Sequence, residues 1–561
     1  MLLFCSFSLI DWSELIIKLL AHYGFQYKFI APGARSSLLA RAALLHGNCV
    51  IHFDERSLAF AALGVGKASQ IQTSKTNASK TKAILIVTSG TAVGNLWPAV
   101  MEASLSHTSL ILLTADRPYE LRDTSANQTL DQVKLFNGYV RWQFDVPPPH
   151  HELDADWLAS TLAYAAFKAS DGPVHLNLMF REPFASYPIP MPKKLVEYVP
   201  ASTATGFQWS LDWQQKGLFI VAQAMDDESF HLLLQLAQQW SWPILVEVFC
   251  HARYQYKHSC VIAYHETICH QTMPFPDANI IIQFGERLIS NHLITIMKKV
   301  NQYVVVSSST VRVDPLKAVT TRICVTNVQS LLKFWFKTLR PTTKPQWLSW
   351  WQHLNFCVGY KLRQYFAQEI KLSEPGVLRM CFQYAKPLIF VGNSMPIRDA
   401  NHFVECHHLH DPVHVFANRG VSGIDGNLAT SMGVSYALQE PLMCILGDLA
   451  FLHDLTSLHL LRQLTKHIWV IVINNQGGGI FELIPNVVNH YFHHHDHFEH
   501  VAKQFDFHYY AVNNWYELAL HLQNTKGANL IEIQTNQLEN ATLHKKLTQY
   551  TNLFSVSFHS D

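Results

Sequence analysis

The chain lacks an excess of charge of either sign. Its 561 residues include 43 Lys and Arg against 42 Asp and Glu, and the acidic residues are spread along the whole length. A surface that binds nucleic acid concentrates basic residues on one face, and no segment of this sequence does so. We therefore expect no nucleic-acid partner.

Paired cysteines and long apolar runs are also missing. The ten cysteines are scattered from Cys5 to Cys444 without a CxxC motif, which favours isolated thiols in a reducing compartment over a disulfide framework or a zinc site. No apolar stretch approaches the roughly twenty residues of a membrane-spanning helix. The apolar start, residues 1–10, lacks the basic residues and the cleavage site of a signal peptide, and we interpret it as part of the first helix. These absences predict a cytoplasmic protein without a transmembrane segment.

Short apolar segments alternate with amphipathic ones along the chain. This alternation is typical of stacked βαβ units, and it predicts an α/β fold of three doubly wound domains with mostly parallel sheets. Proline-rich stretches at 183–200 and 341–345 are interpreted as linkers, which gives domains 1–190, 200–345 and 355–561. The predicted strands are 27–30, 83–88, 109–114 and 173–178; then 217–222, 243–248, 279–284 and 303–307; then 386–391, 413–417, 442–446, 468–473 and 529–533.

Two polar clusters follow apolar runs in the last of these domains. Gly447, Asp448 and Leu449 come after the run 442–446, and Asn475 and Gly477 come after the run 468–473. Ligands bind at the carboxyl ends of parallel strands. A carboxylate, a carboxamide oxygen and a backbone carbonyl are hard ligands that suit Mg²⁺, and nearby glycines let the backbone approach a diphosphate. Either cluster alone is more often a helix cap, so the prediction depends on the pair.

An acidic residue in the first domain is a candidate for proton chemistry. Glu55 lies in the segment His52–Ser57, before a helix of small residues. A carboxylate there is also explained as a favourable charge at a helix N-terminus. A catalytic role requires a mostly buried carboxyl group that shares a proton near neutral pH. The following segment, 64–68, superficially suggests a phosphate loop, but it lacks the required spacing and hydroxyl residue, and we reject that interpretation.

Arginines recur in loops after predicted strands. They are Arg35, Arg117, Arg398 and Arg419. Each alone is more often a surface residue or a member of a structural ion pair. Four guanidinium groups at ligand-facing strand ends instead indicate substrates that carry several carboxylates, because the guanidinium fork matches a carboxylate.

These segments together resemble one family of thiamine-diphosphate enzymes, the 2-succinyl-5-enolpyruvyl-6-hydroxy-3-cyclohexene-1-carboxylate synthases of menaquinone biosynthesis. The resemblance extends over almost all of the first and third domains. It is carried by APGARSSLL, HFDERS, TSGTAVGNLWPAVMEAS, LTADRPYELRDTSANQ, GPVHLNLMFREP, GNSMPIRD, NRGVSGIDG, GDLAFLHD and NNQGGGIFELIP, which begin at residues 31, 52, 88, 113, 172, 392, 418, 447 and 474.

The resemblance implies a reaction and its partners. Members of the family decarboxylate 2-oxoglutarate with thiamine diphosphate and Mg²⁺, or Mn²⁺ in its place, and add the succinyl unit to isochorismate by conjugate addition. The two substrates bring four carboxylates, in agreement with the arginine count. The resemblance also implies a homodimer or a dimer of dimers, in which the catalytic glutamate and the metal ligands come from different subunits.

The resemblance assigns roles to individual residues. Glu55 would be hydrogen-bonded to the pyrimidine ring of the cofactor, and Ile424 would be the apolar wedge that holds the cofactor bent, although an ordinary buried isoleucine is an alternative for Ile424. The metal ligands implied are Asp448, Asn475 and Gly477. The cofactor contacts implied are Ser422, Ile424, Gly447, Asp448, Leu449, Asn475, Gly477 and Ile480, and the substrate contacts are Arg35, Arg117, Asn127, Gln128, Ser394, Arg398, Arg419 and Phe481.

The chain departs from the family pattern at several positions. Leu449 and Ser125 stand where the family usually has glycine, and Ala34 stands where it usually has serine, which removes one hydroxyl contact. The histidine-rich segment 493–500 is interpreted as a solvated loop, with a transition-metal site as the alternative.

Two rival functions stay open at this point. Another thiamine-dependent decarboxylase or an acetolactate-synthase-like enzyme would keep Glu55, Asp448 and Asn475 but is expected to lack the four arginines. A relative without catalytic activity is expected to have lost Glu55 or the metal ligands.

Overall fold

The computed structural model describes residues 9–552 except for 72–80, 150–153, 194, 199–215, 256–257, 271–277, 298–299, 310–314, 316, 326, 340–344, 405–412 and 485–492. The chain divides into two compact units. The first comprises Met1–Pro200, Asn418–Glu440 and Ala450–Lys466, and the second comprises Ala201–Ala417, Pro441–Leu449 and His467–Asp561. In the described ranges no helix combines the length and the apolarity needed to cross a membrane.

The first unit is built around a six-stranded parallel sheet in the order β3-β2-β4-β5-β7-β6. Its strands are β2 (Tyr27–Ile30), β3 (Cys49–Ile51), β4 (Ala83–Val87), β5 (Leu110–Asp116), β6 (Trp142–Val146) and β7 (Pro173–Met179), and a separate antiparallel pair joins β1 (Leu9–Asp11) to β8 (Pro188–Pro190). Its helices are Trp12–His22, Ser37–Leu45, Glu55–Ala68, Thr91–Gly94, Trp97–Leu105, Ala155–Lys168, Asn427–Leu438 and Leu458–Leu461, with 3₁₀ turns at Tyr119–Leu121, Asn137–Tyr139, Ala169–Asp171 and Leu455–Ser457.

Two helices of the first unit cross at very short distance. A Cβ atom added to Gly64, in the helix Glu55–Ala68, would lie 2.1 Å from the carbonyl oxygen of Thr430, and one added to Gly433 would lie 1.9 Å from that of Ala61. Glycine at both positions lets the two backbones touch. The segment 64–68 is therefore helical packing surface, which agrees with the rejection of a phosphate loop.

The second unit contains two further six-stranded parallel sheets, in the orders β11-β10-β9-β12-β13-β14 and β16-β15-β17-β18-β20-β19. The strands are β9 (Gly217–Val221), β10 (Ile244–Val246), β11 (Val261–Ile262), β12 (Ile280–Phe284), β13 (Gln302–Ser307), β14 (Thr321–Cys324), β15 (Leu388–Val391), β16 (His414–Phe416), β17 (Leu442–Gly447), β18 (Ile468–Asn474), β19 (His508–Val512) and β20 (Ala528–Gln534). The helices are Asp227–Trp240, Ala252–Gln255, His265–Cys269, Asn291–Met297, Val328–Thr338, Pro345–Ala367, Glu374–Gln383, Met395–Phe403, Glu499–Gln504, Trp515–Asn524 and Gln537–Tyr550, with a 3₁₀ turn at Gly479–Leu483; the helix Asp448–His453 begins in this unit and ends in the first.

The strand orders place the loops that contain Arg35, Ser394 and Asp448 at topological switch points. Numbered in chain order within each sheet, the first and last sheets both read 2-1-3-4-6-5, and the central sheet reads 3-2-1-4-5-6. The loops after β2 and β4 therefore adjoin, as do those after β15 and β17, and ligands bind at such points in open α/β sheets. Close packing between these segments supports this arrangement. A Cβ atom added to Gly33 would lie 2.3 Å from the Cβ of Thr88, and one added to Gly392 would lie 2.9 Å from the Leu446 side chain.

The α/β fold with three mostly parallel sheets is confirmed, and every predicted strand is present with ends within two residues of those predicted. Our interpretation of residues 1–10 as part of the first helix was wrong for Leu9 and Ile10, which lie in β1, and the first helix begins at Trp12. Residues 1–8 lie outside the described residues. The partner of β1 is β8, so the stretch 183–200, interpreted as a linker, contains a paired strand. The domain boundaries stay predictions.

We expect Gly433→Ala to lower the free energy of unfolding, because the added methyl group would overlap the carbonyl of Ala61. Overpacking of this kind costs about 1–3 kcal/mol, which exceeds the roughly 1 kcal/mol that alanine gains in helix propensity. Urea unfolding followed by circular dichroism measures the effect. Gly138→Ala is the control, since a Cβ there meets nothing within 4 Å. Equal midpoints for the two variants would contradict the proposed close crossing.

Candidate functional site

Glu55 lies in the first turn of the helix Glu55–Ala68. The helix begins there because the Asp54 side chain accepts hydrogen bonds from the backbone N–H groups of Arg56 and Ser57. The Glu55 carboxylate accepts a hydrogen bond of 3.0 Å from the Asn95 side chain. The side chain is half-buried in this chain, not mostly buried as expected, because the first turn of the helix leaves it partly open to solvent.

Arg117 organises the loop that contains the predicted substrate contacts. Its guanidinium group donates to the Ser89 hydroxyl at 2.9 Å and to the Gln128 carbonyl at 2.7 Å. The Gln128 side chain donates to the Ser89 carbonyl at 2.9 Å, while Asn127 is exposed. Ser125, at the position where the family has glycine, has φ 57°, the left-handed region that glycine adopts without strain. The structure therefore brings Arg117 and Gln128 together.

Arg35 is buried and already paired. It donates to the Phe180 carbonyl and to the Glu182 carboxylate, both at 2.6 Å. Arg35 also influences Arg117. Burial lowers the pKa of Arg117, and the positive charge of Arg35 lowers it further. Two guanidinium groups near each other create a positive field suited to an anion.

The loop before the helix Asn427–Leu438 is anchored by a carboxylate that sequence reasoning missed. Glu102 is buried and accepts hydrogen bonds from the backbone N–H groups of Gly420, at 2.9 Å, and Val421, at 2.6 Å. Lys67 lies 3.1 Å from the same carboxylate and balances its charge. Motif spacing gave no signal for Glu102, because the loop that it anchors lies more than 300 residues away in sequence.

This anchored loop contains three of the predicted contacts. Arg419 is half-buried, Ser422 has a left-handed backbone with φ 66°, and Ile424 is 38% exposed. An ordinary buried isoleucine is therefore ruled out as the explanation of Ile424. An exposed apolar side chain on a fixed loop is instead available to contact a ligand.

In the second unit, Asp448 and Gly477 meet at the ends of adjacent strands. Because β17 and β18 pair in parallel, with Gly447 opposite Ile473, the residues that follow them are neighbours. One carboxylate oxygen of Asp448 accepts from the Gly477 N–H at 2.9 Å, and the other accepts from the Leu449 N–H at 2.7 Å. Asp448 is 3% exposed. A buried carboxylate with one negative charge favours a cation beside it.

Asn475 presents an unpartnered oxygen at the same strand ends. Its side-chain N–H donates to Glu374 at 3.0 Å, and this bond turns the amide so that Oδ1 is buried without a hydrogen-bond partner. Leaving a buried acceptor unpaired costs about 1–3 kcal/mol unless a ligand completes it. Gly477 has φ 117°, a conformation that favours glycine. The donor set of Asp448, Asn475 and the Gly477 carbonyl therefore fits a divalent cation with oxygen ligands.

Glu374 is a second residue that the sequence did not reveal. It is fully buried at the start of the helix Glu374–Gln383 and accepts from Asn475 and from the Thr535 hydroxyl, at 3.0 and 3.1 Å. Burial, reinforced by the negative charge of Asp399, raises the pKa of Glu374 to about 7. It positions the Asn475 amide. Its partners lie 101 and 161 residues away in sequence, so no local motif indicates it.

The histidine-rich loop is largely solvated, as predicted. His493, His495, His497 and His500 are exposed. His494 is the exception: its Nε2 lies 3.2 Å from the Asp448 carboxylate, in ion-pair range but without hydrogen-bond alignment.

The remaining predicted residues lie after β15 and in the 3₁₀ turn Gly479–Leu483. Ser394 has a left-handed φ of 71°, and its carbonyl accepts from Arg398 at 2.6 Å. Burial lowers the pKa of Arg398. Ile480 lines the same cavity as Arg398, and Phe481, the next residue in the turn, is half-buried. Arg398 and Ile480 are thus brought to one cavity.

Family models match most of the chain. Residues 10–135 match the N-terminal TPP binding domain of thiamine pyrophosphate enzymes, residues 193–380 match the middle domain, and residues 400–532 match the C-terminal TPP binding domain. Each match covers strands of a different one of the three parallel sheets.

Curated relatives match over almost the whole length. The chain is 34% identical to the 2-succinyl-5-enolpyruvyl-6-hydroxy-3-cyclohexene-1-carboxylate synthase of Rubrobacter xylanophilus, over 96% of this chain and 97% of that protein. It is 32% identical to the synthase of the same name from Salinibacter ruber, over 96% and 95%. It is 30% identical to the chloroplastic protein PHYLLO of Arabidopsis thaliana, over 96% of this chain and 35% of that protein.

We expect Glu374→Gln to stabilise the chain more at pH 8 than at pH 5. The pKa of Glu374 is about 7 in the folded chain, above its usual value of 4.5. At a pH between 4.5 and about 7, the folded chain therefore keeps a proton on Glu374 that the unfolded chain has released. Stability is therefore lost as the pH rises from about 4.5 through about 7, by about 3 kcal/mol at most. Glutamine keeps the acceptor oxygen and does not ionise.

The measurement is urea unfolding of the cofactor-free protein at both pH values. Glu228→Gln, at an exposed carboxylate, is the control and should shift stability little at either pH. A stability difference between Glu374→Gln and the original chain that does not change with pH would contradict the raised pKa.

Proposed function

The chain belongs to the 2-succinyl-5-enolpyruvyl-6-hydroxy-3-cyclohexene-1-carboxylate synthase family of thiamine-diphosphate enzymes, and we propose that it catalyses the family's carboligation in menaquinone biosynthesis. 2-Oxoglutarate would lose CO2, and the succinyl unit would add to isochorismate. The similarity over 96% of the chain carries this proposal. When bound, thiamine diphosphate supplies the electron sink for the decarboxylation.

Glu55 is the proposed catalytic acid–base residue. Support comes from its place in the first helical turn, where the Asp54 cap fixes the backbone, and from the Asn95 side chain, which holds the carboxylate from one side. A carboxylate held in this way can share a proton with a ring nitrogen without a change of rotamer.

Asp448, Asn475 and the Gly477 carbonyl are the proposed ligands of Mg²⁺, or Mn²⁺ in its place. Support comes from the buried carboxylate of Asp448 and from the buried, unpartnered Oδ1 of Asn475. Mg²⁺ prefers oxygen ligands and keeps open positions for phosphate oxygens. Glu374 would then act indirectly, because its hydrogen bond turns the Asn475 oxygen toward the ion. The remaining proposed cofactor contacts are Ser422, Ile424, Gly447, Leu449 and Ile480.

The arginines are the proposed carboxylate-binding groups. Arg117 donates hydrogen bonds to Ser89 and Gln128, and Arg398 lines a cavity together with Ile480. Arg35 is engaged by Glu182, so a substrate carboxylate would have to share or displace that pair. The proposed substrate contacts are Arg35, Arg117, Asn127, Gln128, Ser394, Arg398, Arg419 and Phe481. A homodimer or dimer of dimers and a cytoplasmic location stay predictions.

The proposed reaction is tested by following isochorismate spectrophotometrically in the presence of 2-oxoglutarate, thiamine diphosphate and Mg²⁺. We expect isochorismate to be consumed only when all three are present, with one CO2 released for each isochorismate. Pyruvate in place of 2-oxoglutarate serves as the matched control. Turnover of pyruvate alone would instead favour a decarboxylase or an acetolactate-synthase-like enzyme.

We expect Glu55→Gln to bind thiamine diphosphate with nearly unchanged affinity and to lose roughly 10²–10⁴-fold in kcat, because glutamine cannot exchange a proton. Calorimetry and the isochorismate assay measure the two quantities. Glu120→Gln, at an exposed carboxylate of the same unit, should keep its activity. A near-normal rate for Glu55→Gln would remove Glu55 from this role.

We expect Asp448→Ala to weaken Mg²⁺ and thiamine diphosphate binding together, each by at least about tenfold, because the metal would lose a charged ligand. Titration calorimetry with each component in the presence of the other measures both affinities. Asp496→Ala, at an exposed aspartate of the nearby loop, is the control. Unchanged affinity for the cofactor in Asp448→Ala would argue against this metal site.

A further inference from the structure

A cavity of about 680 Å³ in the second unit has features that the proposed reaction does not use. Arg398 and Ile480 line one part of it, and a group of imidazole rings with one carboxylate lines another. The group consists of His270, His292, His402 and Glu266.

The three histidines come from separate helices and converge. His270 follows the helix His265–Cys269, His292 lies in the first turn of Asn291–Met297, and His402 lies in the last turn of Met395–Phe403. One ring nitrogen from each lies within 4.8 Å of the other two. Across the part of the chain that the structure describes, this is the only group of three potential metal ligands that is so compact.

Glu266 holds two of these rings in place. One of its carboxylate oxygens lies 2.7 Å from Nδ1 of His292 and 3.2 Å from Nε2 of His402. Each of these rings therefore keeps its second nitrogen for another partner. Metal-bound histidines commonly use the other ring nitrogen for a carboxylate, which fixes the ring and strengthens the ligand.

The same carboxylate shows that the hydrogen bonding of the cluster is incomplete. Glu266 is 6% exposed, and its Oε2 is buried without a hydrogen-bond partner. Its side chain contacts the imidazoles of His292 and His402, which are neutral in the form that binds metals, and it lies near enough to Arg398 to act on that guanidinium group. A divalent cation among the rings would compensate the buried negative charge.

We propose that His270, His292 and His402 bind a transition-metal ion of the Zn²⁺ class, with Glu266 as the carboxylate that orients the rings. This ion would differ from the one proposed at Asp448 and Asn475. Imidazole nitrogens select Zn²⁺, Ni²⁺, Co²⁺ or Cu²⁺, whereas carboxylate and carbonyl oxygens suit Mg²⁺. The inference does not depend on the proposed reaction.

The three nitrogens must move closer together, and one ring must turn, before they bind one ion. Zn–N bonds of about 2.0–2.1 Å place the nitrogens of a tetrahedral site about 3.3 Å apart, so the rings would close by about 1.5 Å at most. The rings of His270 and His292 are stacked, with centroids 4.1 Å apart, and one of them must turn out of the stack, because a metal binds an imidazole nitrogen in the plane of the ring. Because all three histidines line the cavity, the remaining coordination position is open to water or to an anion.

The site would join parts of the second unit that are distant in sequence. His270 and His292 belong to segments that connect strands of the central sheet, and His402 lies one helical turn after Arg398 on the helix Met395–Phe403. A metal bound to all three would hold that helix against the other two. It would therefore restrict the backbone that presents Arg398 to the cavity.

The test uses the complete enzyme with saturating Mg²⁺ and thiamine diphosphate, and Co²⁺ as the probe. An imidazole site of low coordination number gives Co²⁺ an intense visible spectrum, whereas an all-oxygen octahedral site absorbs weakly. We expect one intensely absorbing Co²⁺ per chain, and its displacement by one equivalent of Zn²⁺.

Variants locate the bound ion. His292→Gln and His402→Gln should each abolish the intense spectrum, and Glu266→Gln should weaken Co²⁺ binding by about 10–100-fold. The matched control is the double variant His493→Gln and His495→Gln, at exposed histidines of the histidine-rich loop, which should bind Co²⁺ unchanged. Circular dichroism checks folding, and His270→Gln replaces any variant that does not fold.

Two results would overturn the proposal. One is the absence of an intense Co²⁺ spectrum in the original enzyme. The other is a spectrum that persists in the cavity variants and disappears in the loop variant, which would assign the metal to the histidine-rich loop.

Discussion

The parallel pairing of β17 with β18 is the constraint on which the site in the second unit depends. It brings the residues after Gly447 beside those after Ile473, and the Gly477 N–H can then donate to the buried Asp448 carboxylate. That bond fixes the carboxylate, while the Glu374 hydrogen bond fixes the Asn475 amide with its oxygen unpartnered. Backbone geometry and one buried acid thus fix the groups of the proposed cation site.

The sequence predicted the sheet interiors well and their edges poorly. Central strands such as β5 and β18 are buried at every position, and this produces the continuous apolar runs that were recognised. The five parallel strands that were missed, β3, β6, β11, β14 and β19, all lie at sheet edges. Most are half-exposed, as in His508–Val512, or only two residues long, as in Val261–Ile262, so their pattern resembles that of loops.

Some residues of the candidate site could be predicted from the sequence, and others could not. Asp448, Asn475 and Glu55 follow strands or begin helices, and local motifs therefore reveal them. Glu102 is hydrogen-bonded to Gly420, which lies 318 positions away in sequence, and Glu374 is hydrogen-bonded to Asn475, which lies 101 positions away. Only the fold brings these partners together. The partner of Arg35 was equally invisible: Glu182 follows β7, and β4 and β5 lie between β2 and β7 in the sheet.

The unpartnered Asn475 oxygen has a thermodynamic consequence. If the proposed ion binds this oxygen only in the folded chain, folding and ion occupancy are linked equilibria. Each tenfold rise in free cation above its dissociation constant then adds about 1.4 kcal/mol to the folded state. The melting temperature would thus depend on how much of the cation a preparation retains. Two samples of identical sequence would differ in melting temperature according to how thoroughly each had been dialysed.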